Sequence, residues 1–210
     1  MQEPRVIVLK GMSFLTAAEN RESFFKRIAL FLPEQDPRYK EILKAYNDAK
    51  DAFRKKYRDD GITRYFEHLR AVSLILIDYL RVRDYKIIIA ALLHDIVEDC
   101  PEWTLKRVEE EYGQEVALLL AFLTKPPEAN FATKEQRDDM YHMRFRQAPR
   151  NFFLIKLSDR LHNLLTLYSC SNQKRLRKIE ETRLHYLPYA EEHLILLHEL
   201  EEAIEQLTTG

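Results

Sequence analysis

The sequence has few of the residues that build sheets, disulfide frameworks or membrane spans. Only 4 of its 210 residues are glycine, whereas a β-rich or doubly wound protein of this size usually needs more for its turns. Two cysteines are too few for a disulfide framework and favour an intracellular protein. The longest apolar run, Ile87 to Leu93, is far too short to cross a membrane, and the N-terminus lacks the pattern of a signal peptide. We therefore expect a cytoplasmic protein without a membrane partner.

An excess of one charge is also missing. The 33 Lys and Arg residues nearly balance the 34 Asp and Glu residues, and the net charge is -1. Such a chain has no overall attraction for a nucleic acid polymer, so an anionic small molecule would have to be bound by a local cluster of side chains. The sequence also lacks a G-x-x-x-x-G-K-[ST] phosphate loop, which argues against an NTPase of that type.

Signals for helices are strong by comparison. Asp36-Pro37 marks the start of a helix over residues 38–58, and Gly61 marks its stop. Thr104 and Gly113 mark the start and the end of a second helix. Thr133 and Gln136 form a capping box at the start of a third. Three further segments have the pattern of buried helices: RYFEHLRAVSLILIDYLR, DYKIIIAALLHDIVED and FFLIKLSDRLHNLLTLYS. Residues 174–207 are amphipathic, and Pro188 is expected to break them. We predict an all-α protein, a single helical bundle of roughly eight to ten helices.

Polar residues interrupt three of these apolar helices. In ALLHDIVED, Glu98 and Asp99 follow His94 and Asp95 by four residues, so on a continuous helix all four would project along one side. Such a strip is unfavourable unless a cation or another partner holds it. Asp159 with Asn163, and His68 alone, are weaker signals, because single buried polar residues are usually ion-pair partners or satisfied core residues.

Taken together, these residues resemble a known family. A histidine, a His-Asp doublet 26 residues later and an aspartate 64 residues beyond it are spaced like the four ligands of the His-Asp (HD) phosphohydrolase superfamily. Five segments resemble the hydrolase domain of RelA/SpoT homologues: AYNDAKDAFRKKYRDDGITRYFEH, AALLHDIVED, EYGQEVALLLAFLTK, LIKLSDRLHNLLTL and ETRLHYLPYA. The resemblance covers about residues 40–195.

The resemblance implies a Mn²⁺-dependent enzyme that removes pyrophosphate from the 3′ side of the nucleotide alarmone (p)ppGpp, leaving GDP or GTP. The ligands of one Mn²⁺ ion would be His68, His94, Asp95 and Asp159. Glu98 and Asp99 would act on the attacking water. The substrate-binding residues would be Arg58, Asn163, Thr166 and Tyr186.

Several residues keep a second interpretation. Arg58 lies in a basic run that could be a solvated face, and Tyr186 has the spacing of a core residue. Three cations are either phosphate neighbours or ordinary surface and ion-pair residues, namely Lys125, Lys156 and Arg160. The sequence departs from the family at Leu69, Asp59 and Leu165, where proline, a basic residue and arginine are usual.

These departures leave two alternatives open. The same metal site could act on another ribose-phosphorylated nucleotide, such as an adenosine alarmone or NADPH, or the chain could be a non-catalytic helical binding module clipped by a metal. We expect an N-terminal extension with a helix over 1–35, a hydrolase domain over 36–200 and a helix end and tail over 201–210. Few residues follow the matching region, so we expect a stand-alone hydrolase, and a homo-oligomer stays open.

Overall fold

The computed structural model describes residues 7–209, which form twelve α-helices and contain no strand. The helices are α1 (Arg21–Ala29), α2 (Pro37–Ala52), α3 (Tyr65–Leu74), α4 (Tyr85–Leu92), α5 (Ile96–Asp99), α6 (Leu105–Tyr112), α7 (Gln114–Leu123), α8 (Lys134–Met143), α9 (Arg150–Leu165), α10 (Asn172–His185), α11 (Leu187–His193) and α12 (Leu197–Thr209). Short 3₁₀ turns lie at Ser13–Thr16, Glu128–Asn130, Arg144–Gln147 and Leu167–Ser169, and a π-helical turn lies at Ile75–Tyr79. The all-α prediction is confirmed.

The start of α2 follows the predicted signal, but its end does not. Asp36 Oδ1 accepts a hydrogen bond of 2.9 Å from the backbone of Arg38, and proline occupies the first helical position. The helix then ends at Ala52, six residues before the expected end. The chain turns back at residues 58–63, where the backbone N–H of Arg58 donates to the carbonyl of Thr63 over 2.8 Å. The basic run therefore lies in a loop.

Two further helices begin and end near the predicted signals. Thr104 caps α6 by accepting from the backbone of Arg107 at 3.2 Å, and Gly113 ends that helix at φ 86°, which suits a residue without Cβ. Thr133 caps α8 by accepting from the backbone of Gln136 at 3.2 Å. The Gln136 side chain accepts from the backbone of the residue before Thr133, so the predicted capping box is only half formed.

The predicted continuous helix through the His-Asp doublet is wrong. α4 ends at Leu92 and α5 begins at Ile96, so His94 and Asp95 lie in a turn between two helices. The physical reason is local: the His94 ring binds the carbonyl oxygen of Ala91 over 2.8 Å. In a continuous helix that carbonyl would serve the backbone N–H of Asp95. The four acidic and imidazole groups therefore do not form one helical strip.

The C-terminal segment is broken twice. α10 ends at His185 and α11 begins with Leu187 and Pro188, which confirms the predicted break. A second break, which the sequence did not signal, separates α11 from α12, where Leu194 and Leu196 adopt left-handed backbone at φ 54° and 56°. These breaks and the one before α5 raise the number of helices above the expected eight to ten.

The centre of the domain is α9. Helices α3, α4, α7, α11 and α12 pack against it. The segment before α1 belongs to the same hydrophobic core, because Ile7, Leu9 and Met12 are buried in it. The domain boundaries at 36 and 200 stay predictions. None of the helices over residues 7–209 is long and apolar enough to cross a membrane.

The first prediction tests whether the core beneath the His-Asp turn stabilises the fold. Ile88→Ala on α4 removes a fully buried side chain and should lower the melting temperature by about 10 °C, because it leaves a cavity. Leu184→Ala on α10, where the leucine is exposed, should change it by about 1 °C or less. Thermal unfolding followed by circular dichroism measures both. Equal shifts would contradict the assigned core.

Candidate metal centre

Three parts of the fold bring the predicted metal ligands together. His68 lies on α3, His94 and Asp95 lie in the turn between α4 and α5, and Asp159 lies on α9. His68 Nε2 is 3.2 Å from Asp159 Oδ1 and 3.9 Å from Asp95 Oδ2. His94 Nε2 is 3.1 Å from Asp95 Oδ2 and 3.7 Å from Asp159 Oδ1. One donor atom each from His68, His94 and Asp159 lie within 4.8 Å of one another.

The chemistry of His94 fits a bound cation. Its Nδ1 lies 2.8 Å from the carbonyl oxygen of Ala91, which can only accept, so Nδ1 carries the proton. The Nε2 lone pair then faces the carboxylates of Asp95 and Asp159. This buried Nε2 atom has no hydrogen-bond partner. In the neutral ring this lone pair is repelled by the two carboxylates, and a metal ion or an added proton at Nε2 would remove the repulsion.

The pKa shifts of His94 and Asp159 reflect the charges that surround them in this cluster. Burial alone would lower the pKa of His94, but the neighbouring carboxylates of Asp95 and Asp159 outweigh burial and raise it to about 10. Burial, together with the charge of Arg58, lowers the pKa of His68 to about 4. Burial would raise the pKa of Asp159, yet Lys156 and the two histidines hold it well below its usual range. The carboxylates therefore stay ionised.

Other side chains hold the predicted ligands in place. The hydroxyl of Tyr65 donates to Asp95 Oδ2 over 2.6 Å. Asn163 Nδ2 donates to Asp159 Oδ1 over 2.6 Å, and the Lys156 ammonium donates to Asp159 Oδ2 over 2.9 Å. Each ligand carboxylate thus has a fixed orientation, as outer partners of metal sites usually provide.

Sequence reasoning missed two members of this outer set. Tyr65 precedes His68 by three residues, which places both on one face of α3. His162 follows Asp159 by three residues, and its Nδ1 lies 2.8 Å from His68 Nδ1. Because two imidazole nitrogens share this contact, one of them must donate. The spacing of one helical turn was the available signal for both residues.

A cavity of about 310 Å³ opens beside His68. Its lining includes three of the four predicted substrate-binding residues, Arg58, Asn163 and Thr166. Arg58 donates to Asn163 Oδ1 over 2.8 Å and to Thr166 Oγ1 over 3.4 Å, so these three form one polar group. Lys174 and Lys178 add further positive charge to the wall.

Tyr186 is the fourth predicted substrate-binding residue, and the sequence also allowed it a place in the core. It is buried in the core and does not line this cavity. The guanidinium of Arg160 lies 3.8 Å above its ring, and Arg160 itself lines the cavity. The structure therefore places Tyr186 in the core. From there its ring packs against Arg160, which lines the cavity.

The sequence left two interpretations open for three cations, as phosphate neighbours or as ion-pair residues, and all three form ion pairs. Lys125 binds Asp138 at 2.6 Å, Lys156 binds Asp159, and Arg160 binds Glu181 at 2.8 Å.

Glu98 and Asp99 lie next to the centre along the chain, on α5. Glu98 accepts hydrogen bonds from Arg137 at 3.2 Å and from the backbone of Lys125 at 3.1 Å. Asp99 pairs with Lys56 at 2.6 Å. Both residues line a different cavity from the one beside His68. Their predicted action on water stays a prediction.

The three departures from the family pattern have distinct surroundings. Leu69 is buried in the core. Asp59 is exposed and pairs with Lys174 at 2.6 Å, so it compensates one cation of the cavity wall. Leu165 is buried, and its carbonyl accepts from the backbone of Ile7 over 3.0 Å.

Comparison with known proteins identifies the class. The HD domain family matches residues 45–193, which is most of the chain, and the chain belongs to this family. It is 34% identical over 189 residues to the bifunctional (p)ppGpp synthase/hydrolase SpoT of Escherichia coli, covering 89% of this chain and 26% of that protein. It is 32% identical over 163 residues to the guanosine-3′,5′-bis(diphosphate) 3′-pyrophosphohydrolase of Haemophilus influenzae, covering 76% of this chain and 23% of that one. The chain thus spans about a quarter of the length of these relatives.

A solved structure extends the comparison to the fold. It is described as a metazoan ortholog of SpoT that hydrolyzes ppGpp, and it aligns with a TM-score of 0.69 at 25% identity. The alignment covers 79% of this chain and 94% of that chain. The resemblance drawn from the sequence motifs is therefore confirmed.

The second prediction concerns the outer hydrogen bond to Asp95. Tyr65→Phe removes the hydroxyl that donates to this carboxylate and should weaken Mn²⁺ binding by about tenfold or more, because loss of an outer partner loosens a ligand. Tyr57→Phe, an exposed tyrosine in the preceding loop, is the matched control. Calorimetric titration with Mn²⁺ gives both affinities. Unchanged affinity in Tyr65→Phe would contradict the assigned role of this hydrogen bond.

Proposed function

We propose that this protein is a Mn²⁺-dependent hydrolase that cleaves the 3′-pyrophosphate of (p)ppGpp, releasing pyrophosphate and GDP or GTP. The observation that carries the proposal is the buried His94 Nε2, without a hydrogen-bond partner, beside two ionised carboxylates. A cavity whose lining contains both cations and carboxylates opens beside this cluster. The names of the relatives support the substrate, because SpoT and its orthologs are named for ppGpp hydrolysis. A cytoplasmic location is part of the same proposal.

The metal would be held by His68, His94, Asp95 and Asp159. Two imidazole nitrogens and two carboxylates form a mixed donor set that suits Mn²⁺ among other divalent ions. When bound, such an ion would polarise a phosphoryl oxygen and lower the pKa of a bound water molecule. Lys156 and Asn163 orient Asp159, and Tyr65 orients Asp95, through the hydrogen bonds described above.

The phosphate groups would be bound by the cationic wall of the cavity. Arg58 donates hydrogen bonds to neutral groups, the amide of Asn163 and the hydroxyl of Thr166, while its charge also acts on the nearby carboxylates of Asp59 and Asp60, whose pKa values it lowers. Burial and the neighbouring Arg160 lower the pKa of Lys178 to about 8. A phosphate beside Lys178 would favour its charged form, which couples substrate binding to protonation of this amine.

Glu98 and Asp99 would orient the attacking water and accept its proton. Two features support this role: they follow the His-Asp turn directly, and Arg137 together with the backbone of Lys125 fixes the Glu98 carboxylate. General-base groups must be held in one orientation to act on a water. The ion pair between Asp99 and Lys56 fixes the second carboxylate in the same way.

The third prediction tests the reaction and the metal together. Purified protein should release pyrophosphate and GDP from ppGpp in the presence of Mn²⁺ and not after chelation of the metal. Asp159→Ala should lose bound metal and activity together, because a ligand is removed. Asp139→Ala, an exposed carboxylate on α8, is the control that should keep both.

The substrate alternatives are arms of the same assay. The adenosine counterpart of ppGpp and NADPH are incubated under identical conditions, and the products are identified. If either nucleotide is cleaved faster than ppGpp, that nucleotide is the preferred substrate and the assignment of ppGpp is contradicted. Absence of products from all three nucleotides, with metal bound, would support the non-catalytic alternative and contradict the proposed reaction.

The fourth prediction separates chemistry from metal binding. A double variant, Glu98→Gln with Asp99→Asn, should keep its fold and its metal, while single-turnover cleavage falls by about a hundredfold or more, because proton-accepting power is lost. Glu128→Gln is the matched control, since Glu128 is exposed and binds the same Arg137 at 2.6 Å. Loss of metal in the double variant would assign the pair to the coordination shell, and cleavage at the parent rate would contradict both roles.

A further inference from the structure

The lining of the cavity beside His68 is mixed. It includes Arg58, Asn163 and Lys174 together with the apolar residues Phe14 and Leu15. Phe14 and Leu15 lie in the 3₁₀ turn before α1, outside the region that matches the HD domain family. The apolar part of the lining therefore includes a segment that the family match does not account for.

This segment, residues 7–17, is packed into the domain. Ile7, Leu9 and Met12 are buried in the main core, and the backbone of Ile7 donates to the carbonyl of Leu165 over 3.0 Å. Gly11 adopts φ 83° beside the ring of Tyr79, where an added Cβ would lie 3.4 Å from a ring carbon. The anchors bring the chain alongside the end of α9.

The anchored segment presents Phe14 and Leu15 to the cavity. The turn that carries them is closed by a hydrogen bond of 2.9 Å from Thr16 Oγ1 to the carbonyl of Ser13. Both apolar side chains are half-buried, so each rests on the core and keeps part of its surface at the cavity. A half-buried aromatic ring held by a fixed backbone is a suitable platform for a flat ligand.

We propose that Phe14 and Leu15 form the nucleobase-binding wall of this cavity. A nucleotide has phosphate groups at one end and a flat base at the other, and the lining offers both cations and apolar side chains to such a ligand. The proposal rests on the proposed function only in taking a nucleotide as the ligand. Stacking on an aromatic ring tolerates every base, so this wall sets nucleotide affinity more than the choice between guanine and adenine.

Leu165 connects this proposal to a departure from the family. The related motif has arginine at this position, and here a buried leucine accepts the backbone hydrogen bond that anchors Ile7. The apolar residue is therefore compatible with a segment packed over the end of α9, where a buried unpaired arginine would be unfavourable.

The fifth prediction tests the wall by comparing a ligand with a base and one without. With the metal chelated to prevent turnover, Phe14→Ala should weaken ppGpp binding by about tenfold, the scale of one lost base–aromatic stack. Its affinity for inorganic pyrophosphate, which has no base, should change by less than about twofold. In the presence of Mn²⁺, the KM for ppGpp should rise with little change in kcat. Equilibrium dialysis with labelled ligands and steady-state kinetics supply these values.

Two further variants separate contact with the base from folding of the segment. Val8→Ala removes an exposed side chain from the same segment and should leave both affinities unchanged. Phe14→Leu keeps apolar volume but removes the ring, and it should lose most of the ppGpp affinity that Phe14→Ala loses. Thermal unfolding of each variant verifies that the segment stays packed.

The outcomes distinguish this proposal from the proposed reaction. Equal weakening of ppGpp and pyrophosphate, or no weakening of ppGpp, would overturn the nucleobase wall. If the wild-type protein binds ppGpp in Mn²⁺ but does not cleave it, the proposed hydrolase activity is contradicted. The binding data for Phe14→Ala then still decide whether Phe14 contacts the base. Wild-type protein that binds neither ppGpp, its adenosine counterpart nor NADPH would overturn both.

Discussion

His94 Nε2 faces two ionised carboxylates, and the surrounding structure depends on how this contact is compensated, because the lone pair of a neutral ring would be repelled by them. The tautomer is fixed by the carbonyl of Ala91, and the same contact breaks the helix before Asp95. Repulsion of this kind is tolerated in a buried site only when a cation or proton compensates it. The hydrogen bonds from Tyr65, Lys156 and Asn163 fix the orientation of the two carboxylates.

Helix α9 joins this centre to the cavity. Asp159, Asn163 and Thr166 follow one another at intervals of four and three residues, which aligns them along one face. One end of that face belongs to the metal centre and the other to the cavity wall. Lys156 and Arg160 add buried charges on the same helix, and each is paired with a carboxylate. Buried ion pairs contribute little net stability, so their presence here is better explained by the site than by folding.

The sequence predicted the parts of this protein that depend on local chemistry. Caps at Asp36 and Thr104, and the spacing of His68, His94 and Asp159, needed only neighbouring residues or a known motif. The break at residues 93–95 was not predictable from hydrophobic periodicity, because a side chain competing for a backbone carbonyl leaves that periodicity unchanged. The contacts of Tyr65 with Asp95 and of His68 with His162 depend on how three helices cross. For Tyr186 the sequence left a core role and a substrate-binding role open, since helical spacing does not distinguish a residue that lines a cavity from one in the layer beneath it.

The pairing of charges around the cavity gives the departure at Asp59 a physical meaning. Lys174 is bound to Asp59, and both Lys178 and Arg160 are bound to Glu181, so the phosphate of the proposed substrate would have to compete with these carboxylates. Arg58, which is bound to neutral groups, faces no such competition in its hydrogen bonds, and its charge already lowers the pKa of His68. A basic residue at position 59 would add a cation where Asp59 now neutralises one. Under the proposed function, the phosphate contacts of this cavity would therefore be weaker than the family pattern implies, and a larger share of nucleotide affinity would fall to contacts with the ribose and the base.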